Sequence, residues 1–161
     1  MIERPDRPSL FGSIKLHASL PIRGIATSGW RGRSFSLGIA DAVTVLAERA
    51  AMADAAATII ANAVDLPNHP AIVRVPASEI APDNDLGERL VTRAVGDLTP
   101  REIDQALHSG VLVARQFIRC GLICAAAFSL QGQSRVEPQT AQVMTLMGHP
   151  VAESVGSVLH A

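Results

Sequence analysis

Aromatic residues are scarce in this chain, so its core must be built mainly from aliphatic side chains. Phenylalanine, tryptophan and tyrosine together make up 3% of the 161 residues, and tyrosine is absent. The apolar fraction is nevertheless 48%, with only 18% charged residues. This composition is typical of a compact domain and argues against intrinsic disorder. A chain of this length most often folds as one domain with a sizeable core.

The sequence also contains little cysteine, no excess of either charge and no long hydrophobic run. Lysine and arginine number 14 against 15 acidic residues, so we expect neither nucleic acid nor an anionic membrane as a partner. No apolar run could span a bilayer, and the first ten residues lack the apolar segment of a signal peptide, so we expect a cytoplasmic protein. We interpret Cys120 and Cys124 as inert thiols, because they are too few for a disulfide framework and are not spaced as a zinc site.

The first half of the chain predicts strands followed by a helix. Four segments have strand character, namely 14–20, 24–28, 33–38 and 41–47. The sequence GWRG, residues 29–32, predicts a tight turn, so the first three of these strands should form a meander. Residues 47–64, AERAAMADAAATIIANAV, are rich in alanine and contain no helix breaker, which predicts a helix of roughly 15 residues.

In the second half a capping box marks one long helix. Thr99, Pro100 and Glu102 have the positions of N-cap, first helical residue and capping-box partner. An apolar stripe then continues along the helix until Gly121, which should end it. The apolar run 122–132 has strand character and should be a central strand.

These elements predict an α+β domain, with helices on one face of a mostly antiparallel sheet. We expect the domain to cover residues 1–132. Within it, residues 71–75 have strand character, and the polar segment 77–91 is interpreted as a loop with a short helix. From Gln133 on, the composition is polar and aperiodic, so we expect residues 133–161 to form a disordered tail.

Three polar side chains stand in line on the predicted alanine-rich helix. Asp54, Thr58 and Asn62 are spaced i, i+4 and i+8, so they share one narrow stripe. The stripe is either a solvent face or the edge of a cleft. In a cleft a lone carboxylate needs a positive partner, because burying it unpaired is costly. Carboxylate and hydroxyl oxygens one turn apart are ligands that Mg²⁺ accepts, which makes Asp54 and Thr58 candidate metal ligands.

The segment 24–35, GIATSGWRGRSF, combines hydroxyls, glycines and arginines. Thr27 and Ser28 offer hydroxyl groups, Gly29 lets backbone N–H groups approach a ligand, and Arg31 supplies a fixed positive charge. Such a loop can hold an anion or the edge of a nucleotide. The alternative is an ordinary hairpin turn with solvated arginines.

The order of these two segments resembles the ApbE-like superfamily, whose best-described members are the FAD:protein FMN transferases. ATSG, a strand reading DAVTVLA and then MADAAAT carry the likeness, which is specific over residues 24–64 and strongest towards a shorter, uncharacterised branch. The resemblance implies a T-fold-related domain that binds FAD and Mg²⁺, with Asp54 and Thr58 on the metal and Thr27–Gly29 beside the nucleotide. Arg31 completes our set of candidate cofactor contacts.

The chain departs from the transferases in two respects. Their ATSG segment is followed by a histidine-containing segment with an aspartate–proline pair, whereas the interval here, GRSFSLGIA, has neither histidine nor proline. Related chains also have a substantial N-terminal half, so we expect an incomplete version of the fold. The function stays open between FMN or phosphoryl transfer and a non-catalytic ligand-binding or structural role. We expect a homo-oligomer, because an incomplete domain exposes part of its core.

Overall fold

The structure is a computed structural model that describes residue 16 and residues 18–138. Within these residues the chain forms six strands and three helices, in the order β1 (Gly24–Ser28), β2 (Ala42–Ala47), α1 (Ala50–Ala63), β3 (Ile72–Pro76), α2 (Ala77–Ile80), β4 (Leu90–Val95), α3 (Pro100–Arg119), β5 (Ala125–Leu130) and β6 (Gln133–Pro138). None of the described helices has the length and apolar character that crossing a membrane requires.

The strands form two antiparallel sheets. The larger sheet has the order β1-β2-β5-β6, and β3 and β4 form a separate two-stranded sheet. Helices α1 and α3 pack against each other and against one face of the larger sheet. The predicted α+β class, with helices on an antiparallel sheet, is therefore confirmed.

The main core lies between the larger sheet and the two long helices. Alternate residues of β2 and β5, such as Val45 and Phe128, point towards the helices, as the twofold alternation of a strand requires. From the helix side, α1 contributes buried alanines together with Ile60, and α3 contributes Leu107 and its apolar neighbours. The aliphatic core expected from the lack of aromatic residues is present, with Phe128 as its one fully buried aromatic residue among those described.

Helix α3 begins and ends where the sequence predicts. The Thr99 hydroxyl accepts a hydrogen bond from the Glu102 N–H at 3.3 Å, and the Glu102 carboxylate accepts from the Thr99 N–H at 2.7 Å. The helix ends at Arg119, and Gly121 follows with a φ of +69°. The predicted central strand is also confirmed, because β5 lies between β2 and β6.

The predicted meander is wrong. Residues 33–38 form no strand, and β1 pairs directly with β2. The chain instead passes beneath the end of α1, where the Asn62 side chain accepts the Leu37 N–H and Gly38 lies against the backbone of Ala61. Residues 18–20 form a turn, and the rest of the segment 14–20, apart from residue 16, lies outside the described residues.

Two strands, β4 and β6, were not predicted from the sequence. β4 begins at the end of the segment 77–91, interpreted from the sequence as a loop with a short helix, continues beyond it to Val95 and pairs with β3. β6 follows a two-residue turn after β5 and pairs with it along its whole length, so regular structure continues past Gly132. Its side chains Arg135 and Glu137 bind the charged side chains Asp104 and Arg115 of α3. Since these contacts are ionic, β6 lacks the apolar alternation by which strands are recognised. Residues 139–161 lie outside the described residues.

Candidate functional site

Helix α1 carries the predicted metal ligands and lies very close to β1. Its buried face consists of alanines and Ile60, which add little bulk between helix and sheet. At its first turn any side chain at Gly24 would collide with the backbone of Arg49 and Ala50. The helix therefore runs beside β1 at a distance that only glycine allows. This explains why the sequence combines a glycine at the start of the strand with an alanine-rich helix.

Asp54 and Thr58 lie one helical turn apart on an exposed flank of α1, so within the described part of the chain this end of the stripe is a solvent face and not the edge of a cleft. Neither side chain forms a hydrogen bond or an ion pair with any other residue that the structure describes. This is informative for Thr58, because a threonine within a helix often donates its hydroxyl to the carbonyl one turn earlier. Ser109 of α3 does so, donating to the Gln105 carbonyl at 3.3 Å. The carboxylate and the hydroxyl on α1 are thus unengaged and accessible from outside.

The third member of the polar stripe has a different environment. Asn62 is half-buried, and its Oδ1 accepts hydrogen bonds from the Leu37 N–H at 2.9 Å and the Ser36 hydroxyl at 3.1 Å. It therefore fixes the loop before β2 to the end of α1. Although the three residues share one stripe, only Asp54 and Thr58 remain free to bind a ligand.

The ATSG segment divides between the two faces of the sheet. Ala26 packs against the main core, so Ser28 points to the same face as α1 and Thr27 to the opposite face. The Thr27 hydroxyl shares a hydrogen bond of 2.8 Å with the hydroxyl of Thr44, its cross-strand partner. Gly29 is buried, and a side chain there would collide with backbone oxygens of the segment before β2. Of the three residues, Ser28 alone shares the face of α1.

Arg31 is held in place by two contacts. Its Nε donates to Asp41 Oδ1 at 2.6 Å, and its guanidinium lies 4.7 Å from the centre of the Trp30 ring. The other oxygen of Asp41 accepts the Gln131 N–H at 2.6 Å, and the Gln131 side chain donates to the Gly96 carbonyl at 2.7 Å. These contacts join the loop after β1, the turn between β5 and β6, and the segment that precedes α3. No pattern in the sequence indicates that Gln131 connects these segments.

The side chains that the structure describes do not by themselves complete a metal site. Within the described residues there is no group of three or more histidine, cysteine, aspartate or glutamate side chains that could hold an ion. Asp54 and Thr58 offer two hard oxygen atoms, whereas Mg²⁺ takes six ligands and commonly retains waters or binds phosphate oxygens. The pair therefore suits a metal that a phosphate-bearing ligand also binds.

An apolar groove of about 190 Å³ lies on the other flank of α1. It is lined by side chains from α1 and from α3 and the residues that follow it, namely Met52, Ala55, Ala56, Ile59, Phe117 and Leu122. Residues of α1 that differ by one position point about 100° apart, so the groove and the Asp54–Thr58 pair face different directions. The groove offers no polar partner to a ligand held by that pair.

Two buried polar atoms in the described part of the chain have no hydrogen-bond partner, the Trp30 Nε1 and the Ser129 Oγ. Ser129 stands on the face of the sheet opposite the helices, in register with Ala42. Burial raises the pKa of the Cys124 thiol, and the negative charge of Glu48 raises it further. None of these groups was indicated by a sequence pattern, because their environment depends on contacts between distant segments.

Comparison with known proteins places most of the chain in one family. A model of the family described as AbpE bacteria matches residues 2–136. Among curated proteins, UPF0280 protein MK0206 of Methanopyrus kandleri is 60% identical over 42 residues, which are 26% of this chain and 17% of that protein. The chain thus matches about a sixth of the length of this relative. No solved structure gives a significant match.

Proposed function

The chain belongs to the family described as AbpE bacteria, and from this membership and the geometry of α1 we propose that it binds a flavin nucleotide together with Mg²⁺. The proposal includes descent from the ApbE-like superfamily, which residues 24–64 resemble. The family match spans residues 2–136, and this range includes the whole of that segment. FAD is the expected nucleotide, and the resemblance to the FMN transferases is what suggests it.

The observation that carries the proposal is the state of Asp54 and Thr58. Both side chains are exposed, and neither is used by any described residue. A carboxylate and a hydroxyl one turn apart fit the preference of Mg²⁺ for hard oxygen ligands. Bound there, the ion would neutralise charge on a pyrophosphate group. The chain itself would hold the ion on α1 and offer the Ser28 hydroxyl from the same face of the sheet.

A second candidate function is a non-catalytic ligand-binding or structural subunit. The contacts of Thr27 and Arg31 favour it, because both side chains that could touch a nucleotide already have partners within the chain. Catalysis of FMN or phosphoryl transfer is therefore a separate question from binding. No described group near Asp54 stands out as a general base.

Thermal unfolding with and without ligand tests the proposed function. With FAD and Mg²⁺ at about 100 times the dissociation constant, the complex should gain about 2.7 kcal/mol, or about 5–10 °C in melting temperature. Asp54→Asn and Thr58→Val should each abolish most of this shift, since the first removes the negative charge of the carboxylate and the second removes the hydroxyl oxygen, while each keeps the shape of the side chain. Thr58→Ser keeps the hydroxyl and should retain the shift.

Asp83→Asn is the matched control, because Asp83 is exposed and has no described partner. This variant makes the same change in net charge and should leave the ligand shift intact. Equal losses from Asp54→Asn and Asp83→Asn would mean that only net charge matters. If FAD and Mg²⁺ at millimolar concentration leave the melting temperature of the wild-type chain unchanged, the proposal is refuted.

A further inference from the structure

The apolar groove between α1 and the end of α3 has large side chains that remain partly uncovered. Ile59 is 50% exposed and Leu122 is 44% exposed, and both line the groove. The other four lining side chains are also apolar. Exposed apolar area that is gathered in a concave place, and not scattered over the surface, commonly marks a place where another segment or molecule binds.

The size of the groove limits what can fill it. Its volume is about 190 Å³, whereas a cavity of about 150 Å³ holds one benzene molecule and most small-molecule pockets measure about 300–1,000 Å³. The groove thus has room for one or two aliphatic side chains. Since the lining side chains offer no strong hydrogen-bond partner, a short apolar stretch of polypeptide fits the groove better than a cofactor or a metabolite.

The described part of the chain ends near the groove. Pro138, the last residue of β6, is paired with Ala125, the first residue of β5. Ala125 follows Leu122 by three residues, and the Leu122 N–H donates to the Phe117 carbonyl at 2.9 Å, which holds Leu122 against the end of α3. Paired Cα atoms lie about 5 Å apart and three residues span at most about 11 Å, so Pro138 lies within about 16 Å of Leu122.

The residues that follow Pro138 supply an apolar run at a suitable distance. Residues 143–147 are VMTLM, in which four of five side chains are apolar, the densest such run after Pro138. The intervening linker is QTAQ, and the five steps along the chain from Pro138 to Val143 extend up to about 18 Å. Val143 can therefore reach Leu122 without any change in the described fold. Methionine is unbranched and fills irregular apolar gaps, which suits a groove that already contains Met52.

The N-terminal segment, by contrast, is directed to the other face of the sheet. Leu16 and Leu20 pack against Leu46 and Ala125, and these two strand residues point away from the helices. The alternate residues of the same strands belong to the core beneath α1 and α3. The chain before Leu16 thus starts from the side of the sheet opposite the groove, which favours the segment after Pro138 as the occupant.

We propose that residues 143–147 dock in this groove and cover Ile59 and Leu122, so that the segment after β6 ties the end of α3 to α1. The short linker favours docking within one chain, because it keeps the segment at a high effective concentration beside its own groove. On α1 the groove lies on the flank away from Asp54 and Thr58, which docking leaves open. The inference thus goes beyond the proposed function and does not depend on ligand binding.

Limited proteolysis of the full chain with thermolysin tests the docking. This protease cuts before large apolar residues, and the segment 143–147 contains four of them. Ile59→Gln removes apolar surface from the groove while keeping a good helix former, and it should speed cleavage within the segment at least about 10-fold. Leu112→Gln is the matched control, since Leu112 is 53% exposed on α3, about 140° around the helix from Phe117. It should change the cleavage rate less than about twofold.

Cross-linking gives a second measurement in which no groove residue becomes polar. In a Cys120→Ser background, the pair Ile59→Cys and Leu146→Cys should form a disulfide within one chain under mild oxidation. The pair Leu112→Cys and Leu146→Cys should not, because Leu112 lies on another side of α3.

The proposal is overturned if the segment is cleaved at the same rate in the wild type and in Ile59→Gln, or if Ile59→Gln and Leu112→Gln speed its cleavage equally. A disulfide that joins two chains would assign the groove to the segment of a second copy, and it would also overturn docking within one chain. The stabilisation by FAD and Mg²⁺ is a separate result, because it depends on the other flank of α1.

Discussion

At the scale of single residues, Asp41 connects two loops near the candidate site through its carboxylate. Its two oxygens accept from Arg31 Nε and from the Gln131 N–H, both at 2.6 Å, and its side chain is only 11% exposed. One carboxylate thus fixes both the loop after β1 and the turn after β5. Asp41 precedes β2 directly, so the same residue also marks the start of a central strand.

We expect Asp41→Asn to destabilise the fold by about 1–3 kcal/mol, because the amide nitrogen would face either Arg31 or Gln131, and both are donors. Thermal unfolding should show a melting temperature roughly 3–10 °C lower. Arg31→Ala should cost less than about 1 kcal/mol, since the Arg31 side chain is half-exposed and the carboxylate would keep the Gln131 N–H. Equal losses would mean that the ion pair, and not the buried amide contact, matters most.

The polar stripe of α1 shows what spacing can and cannot predict. The sequence places Asp54, Thr58 and Asn62 on one line, and the structure agrees. The sequence could not show that Asn62 differs from the other two residues. The hydrogen-bond partners of Asn62 are Leu37 and Ser36, which lie 25 and 26 residues away along the chain. Which side chain of a stripe is available to a ligand is decided by the loop that packs beside it.

At the scale of elements, the start of α3 is the clearest example of structure determined by local sequence. Every group of the capping box lies within four residues, from Thr99 to Glu102, so the pattern is complete without tertiary contacts. His69 adds a long-range contact, with its Nε2 3.0 Å from the Glu102 carboxylate. The hydrogen bond from the Thr99 N–H, followed by those from His69 and the Thr99 hydroxyl, lowers the pKa of Glu102 from 4.5 to about 2.

This shift predicts how stability depends on pH. Because the pKa of Glu102 is lower in the folded chain, its contribution is complete above about pH 4.5 and is lost as the pH falls towards 2. Glu102→Gln can still accept the Thr99 N–H but does not titrate, so its melting temperature should fall less between pH 5 and pH 2 than that of the wild type. Glu79→Gln, at an exposed carboxylate of α2, should follow the wild type. If the melting temperatures of the wild type and both variants depend on pH in the same way, Glu102 is not the group whose protonation destabilises the fold.

The missed strands show where local signals end. β4 begins within a polar segment, and its pairing with β3 contains a bulge at Arg93, so neither alternation nor register is regular. β6 is held by ion pairs and by its ladder with β5, and apolar side chains contribute little to it. Strands of this kind form because of the strands and helices that they contact. A single sequence does not reveal those contacts, so these strands cannot be recognised from local patterns.

At the scale of the whole molecule, the pairing of β2 with β5 joins segments about 80 residues apart in sequence. The apolar character of both strands was visible in the sequence, and so was the α+β class. The sequence did not show that β2 and β5 are neighbours in the sheet. Four strands can be arranged in many orders that all bury the same apolar residues. The position of the candidate site depends on this order, which leaves β1, and with it the flank of α1, at the outer edge.

The small sheet β3–β4 is attached to the rest of the molecule through polar contacts of Arg74 and Thr92, beside the apolar contacts of Ile72 and Val95 with the main core. The Arg74 guanidinium binds Asp65 and donates to the Leu37 carbonyl at 3.3 Å, and the Thr92 N–H donates to the Ser36 carbonyl at 2.8 Å. The contacts reach the same loop that Asn62 fixes to α1. We therefore expect the small sheet to open as a unit, at lower free energy than the strands of the larger sheet.

Arg74→Ala should lower the opening free energy of β3 and β4 by about 1–2 kcal/mol, because it removes a half-buried charge-assisted contact. Native-state hydrogen exchange should then be roughly 5–30 times faster for amides of β3 and β4, and nearly unchanged for β2 and β5. Arg93→Ala is the matched control, since Arg93 is exposed at the bulge of the same sheet and has no described partner. Faster exchange throughout the chain in Arg74→Ala would show that the two sheets unfold together, and the small sheet would then be part of one cooperative core.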